Sequence, residues 1–463
     1  MSNICARNVS NHDIVKNLSI RFVVRSFLVK KKIAIIQLAK HREPRLLVTG
    51  QTISQFGDGV ALVALTLLVL DTTHSASKLA WFVAARMTPL VIFLLIGGAI
   101  VDRFSRRILL LISDCVRAIL TAILVVLIAT EHLKYGDLLI FAVLFGTFDA
   151  VFMPCITALT PEIVPEELLP AMNAVRQLSN RLMGNMIGPA VGGVIYAASA
   201  SWAISVDCAT FVVSAGALFL MKPTPTPHRT PGSSMLAEIK EGIRYVRATR
   251  WLRTGLLAAG IANAIMFSPM AVLIPFLLRH TFHDSKVVVG YAFAVMGLSG
   301  AIGALVASNL KTPRRRIRVM FTFWTISSLS GLIVGFATNF WEVMIFPVVA
   351  SPLLLLGNVI WESMMQTEVP RDLLGRASSV DWFMSLGLAP LGLVVAGLLA
   401  TEWGVRTYFV VVSLLSAAPG IWIILSRKIN EVDAGRVKQS AVAEPPPATF
   451  PPGESPSSQN LGI

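Results

Sequence analysis

Twelve long apolar blocks are the feature of this sequence that most constrains its fold. Each has roughly the 20 mostly apolar residues that a helix needs to cross the hydrocarbon core of a bilayer. Backbone amides in lipid have no water to bind, so such segments have to be helical. Charged residues make up only 14% of the chain, against roughly 25% in soluble proteins. The sequence therefore predicts an all-α membrane protein. The predicted blocks are 46–70, 79–101, 108–130, 137–159, 172–198, 203–221, 254–278, 287–309, 318–337, 340–366, 376–399 and 405–425.

The distribution of Lys and Arg predicts how these helices are oriented. With the N-terminus inside, the short inner loops contain seventeen Lys and Arg and the outer loops contain five. Basic residues concentrate in the cytoplasmic loops of membrane proteins. The pattern therefore predicts that both termini are cytoplasmic and that the protein lies in the cell membrane. This topology also explains the net charge of +14, so we do not expect nucleic-acid binding.

Short internal repeats predict two related halves. Residues 164–169 return as 369–374, and 98–101 return as 303–306, both at an offset of 205 positions. Six helices followed by six more, with both termini inside, fit a parallel repeat with a substrate path between the halves. The predicted divisions are a basic cytoplasmic tail (1–45), a first half (46–221), an inter-half loop (222–253), a second half (254–425) and a disordered cytoplasmic tail (426–463).

The loop after the second block has the composition of a conformational latch. Glycine lets its helix approach a neighbour closely, an acidic residue suits the positive N-terminus of another helix, and arginines bind carboxylates or phosphates. Asp114 and Arg117, three apart in the third block, are expected to pair with each other, or Arg117 with Asp102. An ordinary basic inner loop is the alternative. The predicted latch residues are Gly98, Asp102, Arg103, Arg106, Arg107, Asp114 and Arg117.

Ionisable residues within the blocks are candidates for coupling and substrate binding, because burying them in a membrane is costly. Asp58 extends a polar face of the first block that includes Gln51 and Gln55. A carboxylate in such a place can exchange protons near physiological pH, although a helix cap or a fixed ion pair is also possible.

Polar faces also mark the fifth and eleventh blocks. The repeat aligns Arg176 with Asp381, which suggests a cytoplasmic gate between them, unless each side chain only reaches the interface. The coupling or substrate candidates are Asp58, Gln55, Arg176, Gln177, Asp149, Glu362 and Asp381, and Arg86 and Asp207 are further ionisable residues within the blocks.

Two motifs carry a resemblance to a known superfamily. The sequence from Gly98 to Arg107 resembles the loop 2–3 signature of the major facilitator superfamily. The fifth block is similar to the glycine–proline signature of its drug–proton antiporters, although Val175 occupies the position of a further glycine. The residues of this second motif are Gly184, Gly188, Pro189, Gly192 and Gly193. Short pieces resemble the branch with macrolide-efflux proteins and the enterobactin exporter: Gly57, Asp58, Gly59, Asp149, Pro154 and 370–376.

The resemblance, which spans roughly 46–425, implies the major facilitator fold and export by alternating access, driven by proton exchange. We therefore predict a secondary transporter that exports a drug, a macrolide or a siderophore-like metabolite. Import of a defined nutrient, or a scaffold or sensor without transport, remain alternatives, because fold does not determine function. The expected partners are the substrate, protons and the lipid bilayer. The seven His and four Cys show no metal-binding spacing, so we expect no metal or cofactor, no enzyme activity, and a monomer.

Overall fold

The computed structural model describes residues 37–38, 40–101, 105–223, 235–308, 313 and 315–426. Within these ranges every regular element is a helix. The helices of the first half are α1 (Arg42–Thr73), α2 (Ala76–Val101), α3 (Arg106–Ala129), α4 (Tyr135–Ile163), α5 (Leu169–Ser179), α6 (Gly188–Ala198) and α7 (Ala200–Leu220). A π-helical segment, Asn180–Ile187, joins α5 to α6 in one continuous run.

The second half has the same general construction and is preceded by a connecting helix, α8 (Met235–Ala248). Its helices are α9 (Arg250–Ala262), α10 (Ser268–Phe276), α11 (Lys286–Ser308), α12 (Arg316–Leu329), α13 (Leu332–Phe336), α14 (Phe340–Glu368), α15 (Arg371–Leu386), α16 (Ala389–Trp403) and α17 (Val405–Leu425). Two π-helical segments, Asn263–Phe267 and Leu277–Thr281, lie in the run that begins with α9.

The prediction of an all-helical fold with many apolar spans is confirmed. Eleven segments of the described part are long and apolar enough to cross a membrane. The predicted block 172–198 is helical but is not among them, because residues such as Asn180 and Arg181 lower its hydropathy. The count of twelve and the cytoplasmic placement of both termini therefore stay predictions.

The inter-half segment 222–253 differs from the loop that we predicted, because it contains α8 and the start of α9. Val246 of α8 is buried, and a Cβ at Gly242 would lie 2.8 Å from the carbonyl oxygen of Arg376 in α15. Glu241 also forms an ion pair of 2.5 Å with Arg376. This helix is therefore packed against the second half and is not an extended connection between the halves.

Several helix pairs connect the halves, and the most extensive contacts are those of α2 with α16 and of α6 with α11. The second contact is very close, because a Cβ at Gly193 of α6 would lie 3.0 Å from the Cα of Gly290 in α11. Asp71 at the end of α1 also binds Arg279 and Lys286 of the second half. We call this end of the bundle the outer end and the opposite one the inner end, as the charge distribution predicts.

The hydrophobic core shows where the halves are joined. Near the outer end, one continuous core includes residues of both halves, such as Leu67, Phe145, Phe346 and Phe409. Near the inner end there are two separate cores, one made of first-half residues and one of second-half residues. The halves are thus packed together at the outer end and apart at the inner end.

Candidate functional site

A buried charge network lies inside the first half, centred on Arg117 of α3. This side chain is only 1% exposed. Its guanidinium lies 2.5 Å from the carboxylate of Asp114 and 3.4 Å from that of Asp149 in α4. Arg86 of α2 binds the other oxygen of Asp149, also at 3.4 Å. Three helices are therefore joined by one acidic side chain between two guanidinium groups.

Phenylalanine rings surround these guanidinium groups. The guanidinium carbon of Arg117 lies 4.5 Å from the ring centre of Phe211 and 4.8 Å from that of Phe152, while that of Arg86 lies 4.7 Å from Phe145. A cation over an aromatic face is attracted by the ring quadrupole, and more strongly away from water. Sequence reasoning missed these rings. Their spacing offered a signal, because Phe145, Asp149 and Phe152 share one face of α4.

Two further carboxylates lie beside the network without an ion pair in the described part of the chain. Asp58 of α1 is half-buried and lies within electrostatic range of Arg117, Arg86 and Asp149. Asp207 of α7 is fully buried, and neither of its oxygens accepts a hydrogen bond from the residues that the structure describes. A charged carboxylate is costly there, so the network has the chemistry of a proton-binding site.

Tight packing by glycine positions α1 against this network. A Cβ at Gly57 would lie 2.9 Å from a carboxylate oxygen of Asp207. Added Cβ atoms at Gly188 and Gly192 would lie 2.7 Å from backbone carbonyl oxygens of α1, and one at Gly59 would lie 2.9 Å from Pro189. The glycine–proline motif of the fifth block therefore holds its helix directly on α1.

The other members of this motif have different surroundings. Gly193 faces α11 of the second half, as described above. A Cβ at Gly184 would be 3.5 Å from the carbonyl oxygen of Gln55, which is an ordinary contact. The side-chain oxygen of Gln55 is buried and has no hydrogen-bond partner in the described structure.

Two of the predicted latch arginines bind helix ends of their own half. Arg106 forms an ion pair with Glu162 at the end of α4. Arg107 donates hydrogen bonds of 2.8 and 2.7 Å to the last carbonyl groups of α7. Asp102 and Arg103 lie outside the described residues, and Gly98 lies near the end of α2.

The remaining pair of predicted latch residues is found elsewhere. Asp114 and Arg117 pair with each other within the buried charge network, about two turns or more along α3 from Arg106. The structure therefore groups them with the buried charge network rather than with the loop. The latch role of the loop itself stays a prediction.

The predicted gate residues do not meet in this structure. Arg176 donates a hydrogen bond to Thr160 at 3.3 Å within the first half, and Gln177 beside it is exposed. Asp381 instead accepts a hydrogen bond from Trp361 of the second half at 3.2 Å. Because the inner ends of the halves are apart here, an ion pair between Arg176 and Asp381 requires this end to close.

A cavity of about 410 Å³, which we call the C-terminal cavity, opens within the second half. It brings together two sequence candidates, Glu362 of α14 and Asp381 of α15. Its aromatic wall, which sequence reasoning missed, includes Trp324, Trp361 and Trp382. Polar side chains interleave with these rings, so the cavity has the mixed lining that is typical of small-molecule sites.

Hydrogen bonds hold this lining in place. The indole nitrogen of Trp361 donates to Asp381, and that of Trp324 donates to Asn358 at 3.1 Å. Asn263, the repeat equivalent of Asp58, donates to the backbone carbonyl of Ser385 at 2.9 Å. The repeat thus relates a carboxylate next to a charge network in one half to a neutral amide in the cavity of the other.

Comparisons with known proteins agree with this architecture. A family model described as transmembrane secretion effector matches residues 39–451. The multidrug efflux pump Tap of Mycobacterium tuberculosis is 27% identical over 85% of this chain and 96% of its own length. The enterobactin exporter EntS of Escherichia coli O139:H28 is 27% identical over 74% of this chain and 82% of its own length.

Solved structures of transporters have the same fold. A mutant of the nucleoside transporter NupG superimposes with a TM-score of 0.66 at 12% identity, covering 81% of this chain and 98% of NupG. A bacterial homologue of the lysosomal transporter Spinster, in an inward-facing and unoccupied conformation, superimposes with a TM-score of 0.60 at 12% identity, covering 88% of this chain and 97% of that one.

Proposed function

Because this chain belongs to the transmembrane secretion effector family of the major facilitator superfamily, we propose that it exports a hydrophobic or amphiphilic small molecule in exchange for protons. Membership makes the chain a multi-pass transporter of the cell membrane rather than an enzyme, and it confirms the superfamily predicted from the motifs. The relatives are a multidrug efflux pump and an enterobactin exporter. Their names support outward transport of a small molecule.

The observation that carries proton exchange is the excess of carboxylates in and beside the buried charge network. Four aspartates share two arginines, and Asp58 and Asp207 make no ion pair within the described structure. Neutralising a buried, unpaired carboxylate by a proton costs less than keeping its charge out of water. We assign proton binding to Asp58 first, because it is half-buried and therefore the more accessible of the two.

Proton binding at Asp58 changes the forces between helices. The charged carboxylate attracts the guanidinium of Arg117, which already binds Asp114 and Asp149. A proton removes this attraction between α1 and α3 but leaves the three ion pairs of the network in place. Because α1 packs on both α7 and the run from α5 to α6, a shift of α1 reaches the boundary between the halves.

Alternating access is supported by the unequal packing at the two ends. The outer end is closed by a shared core and by the contacts of Asp71, whereas the inner cores are separate. Closing the inner end brings α5 towards α15, and we propose that Arg176 and Asp381 then form the cytoplasmic gate. The arginines of the loop after α2, anchored on α4 and α7, are proposed to move with the first half as a unit.

Transport into inside-out membrane vesicles tests this function. An interior-acid proton gradient is imposed, and uptake of a panel of lipophilic dyes and macrolides is followed for wild type and for Asp58→Asn. We expect uptake by wild type that depends on the gradient and collapses with a protonophore. Asp58→Asn removes the titratable group while keeping its size, so we expect its gradient-driven uptake to fall to the background of vesicles without the protein.

Asp137→Asn is the matched control. Asp137 lies at the outer start of α4, where it caps the amide of Lys134 at 2.9 Å, and an asparagine can keep this hydrogen bond. Its uptake should equal that of wild type. Gradient-driven uptake that persists in Asp58→Asn refutes the role of this residue, and uptake that ignores the gradient refutes proton exchange.

A further inference from the structure

The C-terminal cavity has a charge that no residue of its lining balances. Glu362 and Asp381 both line it, and none of the described residues that line it is Lys or Arg. Asp381 accepts hydrogen bonds from Trp361 and Ser385, and the carboxylate of Glu362 repels it. Neither carboxylate belongs to any of the ion pairs of the described structure. Two like charges beside an aromatic wall repel each other, and a bound cation relieves that repulsion.

The aromatic wall suits the same kind of ligand. The ring centres of Trp324 and Trp361 are 6.0 Å apart, and Phe321 and Trp251 pack on them at 5.3 and 5.7 Å. Tryptophan attracts cations more strongly than the other aromatic side chains. Because the indole N–H groups of Trp324 and Trp361 are bound to Asn358 and Asp381, the rings are held in fixed orientations.

An unsatisfied hydroxyl in the same cavity points independently to a ligand. Thr325 lines the cavity, is only 6% exposed, and its hydroxyl has no hydrogen-bond partner in the described structure. Gly420 lies against this hydroxyl, so that any side chain at position 420 would collide with it. Most buried polar groups in proteins have a partner, so a buried hydroxyl left free beside a cavity fits a polar group of a bound molecule.

We propose that the C-terminal cavity is a binding site for organic cations that have an apolar, aromatic body, with the positive charge next to Glu362 and Asp381. The cavity volume of about 410 Å³ lies within the range of sites for drug-sized ligands. The proposal rests on the proposed export function, and it names the charge class of the exported molecule. It also separates two tasks: protons bind in the first half and the cation binds in the second.

Binding of two probes of opposite charge tests this inference without any substitution. Tetraphenylphosphonium and tetraphenylborate have nearly the same shape and apolar surface, but the first is a cation and the second an anion. Their binding to purified full-length protein in lipid nanodiscs is measured by equilibrium dialysis, with empty nanodiscs as the blank. We expect saturable binding of the phosphonium and none of the borate. Equal binding of both ions, or binding of the borate alone, overturns the proposal.

Variants then place the probe in the cavity. We expect Glu362→Gln and Asp381→Asn each to weaken phosphonium binding about tenfold, and the double variant to abolish saturable binding. Glu402→Gln is the control, because Glu402 is exposed at the outer end of α16 and does not line the cavity. Phosphonium binding that is unchanged in a folded double variant overturns the assignment to this cavity. If the double variant does not fold, Trp382→Leu, which removes an exposed ring of the wall, replaces it under the same criterion.

The binding assay and the vesicle assay can refute the cation site and the export function independently of each other. Gradient-driven uptake without phosphonium binding removes the cation site and leaves proton-coupled export in place. Phosphonium binding at the cavity without gradient-driven uptake of any compound leaves the cation site and removes the proposed export function.

Discussion

The contacts of Asp71 at the outer end predict how strongly this structure favours its closed outer end. The carboxylate lies 2.8 Å from the ammonium of Lys286 and 3.4 Å from the guanidinium of Arg279, and it accepts a hydrogen bond of 3.2 Å from Tyr196. Both cations belong to the second half, whereas Asp71 and Tyr196 belong to the first. Opening the outer end therefore breaks two ion pairs, and we expect Asp71→Asn to favour opening.

The magnitude follows from the exposure of these groups. The side chains of Asp71, Arg279 and Lys286 are 29%, 22% and 37% exposed, so water screens part of each attraction. An exposed ion pair contributes at most about 1 kcal/mol, so the two pairs together contribute up to about 2 kcal/mol. Asparagine keeps an acceptor for the Tyr196 hydroxyl, so this hydrogen bond is not counted. A change of about 2 kcal/mol shifts the ratio of open to closed outer ends by roughly 30-fold.

Double electron–electron resonance measures this ratio, because it gives the distribution of distances between spin labels on the two halves. Labels at Lys134→Cys and Glu402→Cys, both near the outer end, are placed in a protein whose four native cysteines are replaced. We expect Asp71→Asn to increase the fraction of long distances strongly, and Asp137→Asn, which removes an outer carboxylate that is bonded within the first half to the amide of Lys134, to leave it unchanged. A distance distribution that is identical in wild type and Asp71→Asn refutes the assignment of these ion pairs as an outer closure.

Two further predictions concern packing and the buried network. Gly193→Ala should lower the thermal stability of the detergent-solubilised protein by about 1–3 kcal/mol through overpacking, because its Cβ would lie 3.0 Å from the backbone of Gly290. Gly216→Ala is the control and should leave the stability unchanged, because its Cβ meets nothing within 4 Å. An equal stability of both variants contradicts this account of the close contact. Arg117→Ala leaves the fully buried carboxylate of Asp114 without its ion-pair partner and should cost about 3–5 kcal/mol, measured by thermal unfolding. The exposed Lys78→Ala should have little effect, and similar melting temperatures for the two variants would refute the structural importance of the network.

The position of the helices and the fold class were predictable from the sequence, because hydropathy is a local property. Every residue of an apolar block contributes to the free energy of membrane insertion without reference to any other block. This is why the predicted first block, 46–70, lies within α1 at Arg42–Thr73. It is also why block 172–198 is not among the apolar spans of the described structure, since its amides and arginines oppose insertion.

The individual candidates in the network were also predictable, because an ionisable side chain in an apolar block is costly wherever it lies. Which of these side chains contact one another was not predictable from the sequence. Arg117, Asp149 and Arg86 come from three helices, and their contact depends on how each helix is rotated about its axis. The glycine contacts of the run from α5 to α6 with α1 set part of that rotation, and they depend on residues more than a hundred positions apart.

The C-terminal cavity and the state of the gate were decided by the tertiary structure alone. Trp324, Trp361 and Trp382 lie on three helices, so no periodicity within one helix brings them together. The repeat relates Arg176 to Asp381 as equivalent positions, but equivalence does not make two residues neighbours. In the proposed gate they meet only when the inner ends of the halves close. Closure depends on the balance of packing between the two ends of the bundle, which is a property of the folded chain as a whole.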